Sequence, residues 1–211
     1  MAWIAIASTL VCALCLPVLA AAEDVDPAAT AYVQTMADFG IVASSPANGA
    51  DVAVGHGSAE PCPPGAPPPP FQGFCSTSPR DFHFAATSNL AADHAAGVFH
   101  ETGTMFCTVD ECFEGSFRGR VNCLTATGNV ATMGIQIEQS SLPTFVEGEQ
   151  IFVSVIDNGR HGDPVPDLIS LNFRRPAVVV VGGQCPEVTT TAYQTVVDGD
   201  IMVRDGQVSS G

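Results

Sequence analysis

The chain has 211 residues, with 22 acidic against 7 basic side chains and a formal net charge of −15; it contains no Lys, so every fixed cation is an Arg. Such an acidic surface keeps a protein soluble and repels phosphate backbones and anionic lipid heads, which excludes nucleic acid and membrane surfaces as partners.

Residues 1–22, "MAWIAIASTLVCALCLPVLAAA", carry no charge and end in small residues ahead of Glu23. That is the apolar core and cleavage region of a secretory signal peptide, although the usual basic start is missing. A run of about 20 apolar residues is long enough to span a bilayer, but Pro17 and the Ala-rich end favour cleavage. The expected localisation is therefore secreted or cell envelope, with no membrane association beyond this segment. What remains is one domain's worth of chain.

Residues 23–50 mix acidic, Ala and Ser residues without a sustained period. They read as a flexible lead-in holding at most a short helix near Ala28 to Phe39. From residue 51 to 206 helical periodicity disappears and short apolar alternations appear between turn signals; residues 207–211 form a C-terminal tail. "FHFAAT" places Phe82 and Phe84 on one face. "SFRGRVNCL" places Phe117, Val121 and Cys123 on one face and Arg118, Arg120 and Asn122 on the other. Gly128-Asn129 marks a hairpin turn, after which Met133, Ile135 and Ile137 face inward. "QIFVSVID" aligns Ile151, Val153 and Val155, and "LISLNF" aligns Ile169, Leu171 and Phe173. "AVVVVGG" is a continuous apolar run, and Asp198-Gly199 predicts a last hairpin between "TTTAYQTVV" and "DIMVRDG". About nine short strands without helical crossovers predict an all-β fold: a single antiparallel sandwich, with a β-barrel as the alternative.

Of the eight cysteines, Cys12 and Cys15 lie in the signal segment. The six that remain, Cys62, Cys75, Cys107, Cys112, Cys123 and Cys185, read as disulfides in an exported protein. Spacing favours Cys62 with Cys75 around the stiff "PPGAPPPPFQGF" loop, and Cys107 with Cys112 in "CTVDEC", leaving Cys123 for Cys185. Closing a loop of the first size stabilises by about 3 kcal/mol in the chain-entropy account. A zinc site is the rival use of these thiols, and an oxidising compartment disfavours it.

The string "VAVGHGSAE", "FHFAATSNL", "FRGRVNCLTATGNVATMGIQI", "FVSVIDNG", "DLISLNF" and "VVDGDIMVRDG" resembles a group of secreted bacterial all-β proteins over most of Asp51 to Gly206. The shared order is a Gly-x-Val-x-Cys strand (Gly119 to Cys123), a Gly-Asn hairpin (Gly128-Asn129), an Asp-Asn-Gly loop (Asp157 to Gly159) and a closing Gly-Asp-Ile strand (Gly199 to Ile201). The group carries no assigned activity, so the resemblance implies fold and export. The Pro-rich insertion and "CTVDEC" depart from its pattern.

Two constellations carry candidate chemistry. In "VIDNGRHGDPVPDLISLNF", Asp157, Asn158, Asp163 and Asp167 offer hard oxygen donors, and Gly159 and Gly162 allow sharp turns, as a structural calcium site requires. The plainer reading is a hairpin loop whose Asp and Asn side chains bond neighbouring amides. In "DHAAGVFHETG", Asp93, His94, His100 and Glu101, with His83 on a neighbouring strand, offer imidazoles for zinc and a bound water; His83, His94 and His100 are the candidate ligands. The plainer reading there is solvent-facing strand positions. "GHGSAE", with His56 and Ser58, lacks the Gly-x-Ser-x-Gly elbow of serine hydrolases. Neither constellation assigns a catalytic residue or a cofactor beyond the candidate calcium. The expected function is an exported non-catalytic binding or envelope-associated module with a protein or glycan partner. A metal-dependent hydrolase using the histidines and a small-molecule carrier barrel are the alternatives.

Overall fold

A computed structural model describes residues 26–61, 79–89, 91, 93–107, 112–143, 145–160, 162–170, 173–174, 183–186 and 193–206. Residues 1–25, the Pro-rich loop with Cys62 and Cys75, the "AVVVVGG" run up to Gly182 and the C-terminal tail lie outside them. One helix, α1 (Pro27–Asp38), precedes nine strands: β1 (Val52–Ala59), β2 (Arg80–Ser88), β3 (Ala95–Cys107), β4 (Cys112–Thr127), β5 (Val130–Ser140), β6 (Gln150–Ile156), β7 (Leu168–Ser170), β8 (Phe173–Arg174) and β9 (Tyr193–Arg204).

Strands β1 to β7 each pair antiparallel with the next in sequence, and β9 joins β7 to β1. The all-β class holds, and of the two architectures expected the sheet adopts the barrel: it closes into eight antiparallel strands. Strands β7 and β8 both lie against β6, with registers one residue apart, and together fill one position of the ring. Closure removes the free edges that an open sheet exposes.

The local rules that built these strands succeed at Gly128-Asn129, where Thr127 faces Val130 across a two-residue turn and Gly128 takes φ +60°. They fail at Asp198-Gly199. Instead of turning there, β9 runs straight through as one strand. The glycine is needed for close approach: Gly199 pairs with Gly57 beside a bulge in β1–β9, and a Cβ on Gly199 would lie 2.0 Å from the His56 carbonyl oxygen. A second bulge, between Val121 and Cys123, reverses the alternation of β4. Phe117, Val121 and Leu124 point inward, while Cys123 joins Phe152 and Cys185 on the outer face. There Cys123 and Cys185 are bonded, with Cα atoms 5.0 Å apart. Cys107 and Cys112 face each other across β3–β4, and their side chains lie outside the described structure.

An eight-stranded barrel has an interior just wide enough for side chains to fill. Here Phe82, Phe84, Phe99, Phe117 and Phe145 form a column with successive ring centroids 5.0–6.0 Å apart. Room for it comes from small residues opposite: a Cβ on Gly55 would lie 2.6 Å from the Phe84 ring. Beyond the column the interior turns polar. Arg80, 3% exposed, reaches Glu101, 1% exposed, at 2.7 Å, Gln194 Oε1 at 2.6 Å and the Ser170 carbonyl at 2.8 Å. Gln194 in turn donates to the Glu60 carbonyl at 2.7 Å. Four strands are thus tied to one guanidinium.

Within the lead-in, the short helix expected near Ala28 to Phe39 forms as α1, and it is docked. Asp26 caps α1 by accepting from the amide of Ala28 at 2.9 Å, and Pro27 opens the first turn. Ala28, Tyr32 and Met36, spaced four residues apart, bury against Val52, Val54 and Ala85 on the outer wall. Arg204 on β9 fastens the near end, pairing with Asp26 and donating to the carbonyls of Ala50 and Ala47 at 3.1 Å each.

Removing one member of a buried ion pair strands the other, at a cost of about 3–5 kcal/mol, whereas replacing both with apolar residues is near neutral. Glu101→Ala is expected to destabilise by that amount and Arg80→Met with Glu101→Leu to recover most of it, as measured by urea unfolding.

Candidate functional site

Among the described residues side chains pack the interior, and a groove opens on the outer wall. Inward-facing Phe84, Phe99 and Ile201 fix the parity of β2, β3 and β9, so the residues before or after them face out. The register then sets Asp200, His56, His83, His100 and Arg118 side by side on β9, β1, β2, β3 and β4. The His56 and His83 rings meet edge-on with centroids 6.2 Å apart.

Helix α1 crosses this row. Phe39, its C-cap, lays its ring on His83 with centroids 4.7 Å apart. Between helix and wall runs a groove of about 550 Å³. Ala31, Val54 and Met202 contribute its apolar lining, Asp38, Asp81 and Asp200 its carboxylates; none of the lining residues is an Arg. The Ser58 hydroxyl donates to Asp81, and Gln34 Nε2 donates to Asp38 at 3.2 Å. Burial holds the His83 imidazole below its ordinary pKa; His56 adds to this, Asp38 opposes it, and His100 lowers it further.

The histidines expected to act together are divided. His83 and His100 face each other directly. His94 is exposed at the other end of the β2–β3 hairpin, where Asn89 Oδ1 accepts from its amide at 3.3 Å. Five residue pairs lie between it and His83, so the two are about 20 Å apart along the strand. Glu101 points into the barrel and belongs to Arg80, and Asp93 accepts from the Asn89 side-chain amide at 2.5 Å. The imidazole that does join His83 and His100 is His56, a residue considered in the sequence only for a hydrolase elbow.

The four loop residues between β6 and β7 do come together, and the three carboxylates among them accept from backbone amides. Asp157 accepts from Gly159 and Val203 at 2.9 Å each, and Asp167 from Asn158 and Ile201 at 2.8 Å each. Asp163 accepts from Arg160 at 2.9 Å, and Asn158 Nδ2 donates to the Pro166 carbonyl at 2.7 Å. The result is a hairpin loop stitched to β9. Burial raises the Asp167 carboxyl pKa despite its two amide donors, with Asp157 and Asp200 adding to the rise. Among the described residues no three His, Cys, Asp or Glu side chains converge to hold a metal ion.

No family model matches the chain, and no curated protein or solved structure matches it. The geometry alone therefore carries the functional reading.

Because Asp167 satisfies two backbone amides from a nearly buried position, Asp167→Ala is expected to cost about 1–3 kcal/mol through the unpaired donors. Denaturant unfolding with calcium and with chelator checks the origin of that loss. Equal losses in both mark the carboxylate as an amide acceptor; a loss seen only with calcium marks an ion ligand.

Proposed function

We propose that this chain is an exported, non-catalytic binding module that holds a compact organic cation in the groove between α1 and the barrel wall. The observation that carries the reading is the lining: three carboxylates and no Arg around an apolar floor, on the outside of a barrel whose interior is already full. The groove volume is in the range of small-molecule sites, which are mostly apolar with a few placed polar groups. The net charge of −15 steers a cation toward the surface. Export rests on the apolar leader and on the resemblance to secreted all-β proteins. A glycan or a protein partner, the wider classes expected from the sequence, makes less use of three carboxylates around an open groove.

Backbone amide shifts of the isotope-labelled chain titrated with phenethylamine, 2-phenylethanol and phenylacetate test this at neutral pH. Saturable shifts at Asp38, His56 and His83 with the amine alone are expected, weakened about tenfold or more by Asp38→Asn with Asp200→Asn, since a contact to a charged group contributes about 1.5–3 kcal/mol. Equal binding of the alcohol would remove the cation from the reading and leave the groove. A groove untouched by all three probes would remove the site.

A further inference from the structure

The imidazole row lies beneath one end of the helix that forms a wall of the groove, and the two are joined by a single ring contact. Phe39 lies on His83, and His83 sits between His56 on β1 and His100 on β3. Directly opposed positions on antiparallel strands bring side chains within about 4.5–5.5 Å at Cβ, and like charges there are destabilising. Three adjacent imidazoles are comfortable while neutral and repel once charged.

We propose that this row is an acid-sensitive latch: neutral rings seat Phe39 and the C-terminal end of α1, and their charging on acidification lifts the helix from the barrel and dismantles the groove. As regulation of the groove this rests on the binding reading above; the release of the helix does not, and is measured without ligand.

The charges around His83 decide the sign. Desolvation under the helix favours the neutral ring, as do His56 and His100 when charged, and Arg118 beyond His100 adds a fourth positive group. Asp38 on α1 works the other way; the carboxylates of Asp81 on the same strand and Asp200 opposite His56 are the other acidic groups on this face. The net effect on His83 is a lowered pKa. A ring freed from the helix titrates near its ordinary value of about 6.5. The undocked state therefore takes up the proton first. Docking strength contributed by His83 is fully present above that pH and is lost as the pH falls through the lower, docked value.

The far end of α1 has a different fastening. The Arg204–Asp26 pair and the burial of Ala28 and Tyr32 do not depend on imidazole charge. Release therefore begins at Phe39 and spreads backward, with the barrel intact beneath it.

Hydrogen exchange of the full chain, expressed as protection factors at about pH 7.5 and about pH 5, either side of the free imidazole value, tests the latch. Amides of Thr35 to Phe39 are expected to lose protection severalfold at the acidic pH while those of β4 and β5 keep theirs. His83→Gln, which cannot charge, is expected to abolish most of that loss, and Asp38→Asn to enlarge it. Unchanged protection of the helix on acidification would overturn the proposal. So would an equal loss in His83→Gln, or a loss shared by the barrel strands, which would be global acid unfolding.

Discussion

Closure of the sheet between its first and last strands is the constraint on which the rest depends. The β1–β9 seam brings Gly57 and Gly199 so close that neither tolerates a side chain in place. Once the ring is shut at eight strands, its bore is fixed, and that bore is filled by a column of phenylalanine rings and, at one end, by an ion pair with its amide partners. On the outer wall α1 supplies the second side of a groove that a bare barrel lacks.

The same constraint makes the outer wall orderly. Strand parity is dictated by what must point inward, so the side chains facing out inherit a fixed register around the ring. That is how His56, His83 and His100, separated by connections of different lengths, end in one row. None of them is positioned by a motif; each is the outward neighbour of a residue that packs the core.

This distinction explains what could be read in advance. Strand existence, the Gly128-Asn129 turn and the inward faces of β5 and β6 follow from alternation and turn chemistry, both local. The pairing of Cys123 with Cys185 also followed, by elimination, but the face on which it lies did not. A one-residue bulge after Val121 inverts parity without leaving a sequence mark stronger than Asn122 itself. Asp198-Gly199 misled for the opposite reason: a dipeptide that commonly turns a chain here relieves crowding at a seam between residues far apart in sequence. The row of imidazoles was legible only at His83 and His100. Adding His56 requires the β1–β2 register, and the long Pro-rich connection between those strands conceals it. In the acidic loop the residues were identified and so was their hairpin setting, because short polar side chains next to glycines bond amides wherever they occur.

The order in which the ring is assembled follows from its topology. From β1 to β7 each strand meets the next one along the chain, so that part of the sheet forms from contacts of modest sequence separation as the chain emerges. The partner that covers the free side of β1 is the last strand of all. Until residues of β9 are available, β1 presents an open edge of unpaired backbone groups, the feature through which sheets join to one another. For much of its synthesis, then, this molecule is an unfinished ribbon, and its final dozen or so structured residues cover the edge through which β1 would otherwise associate.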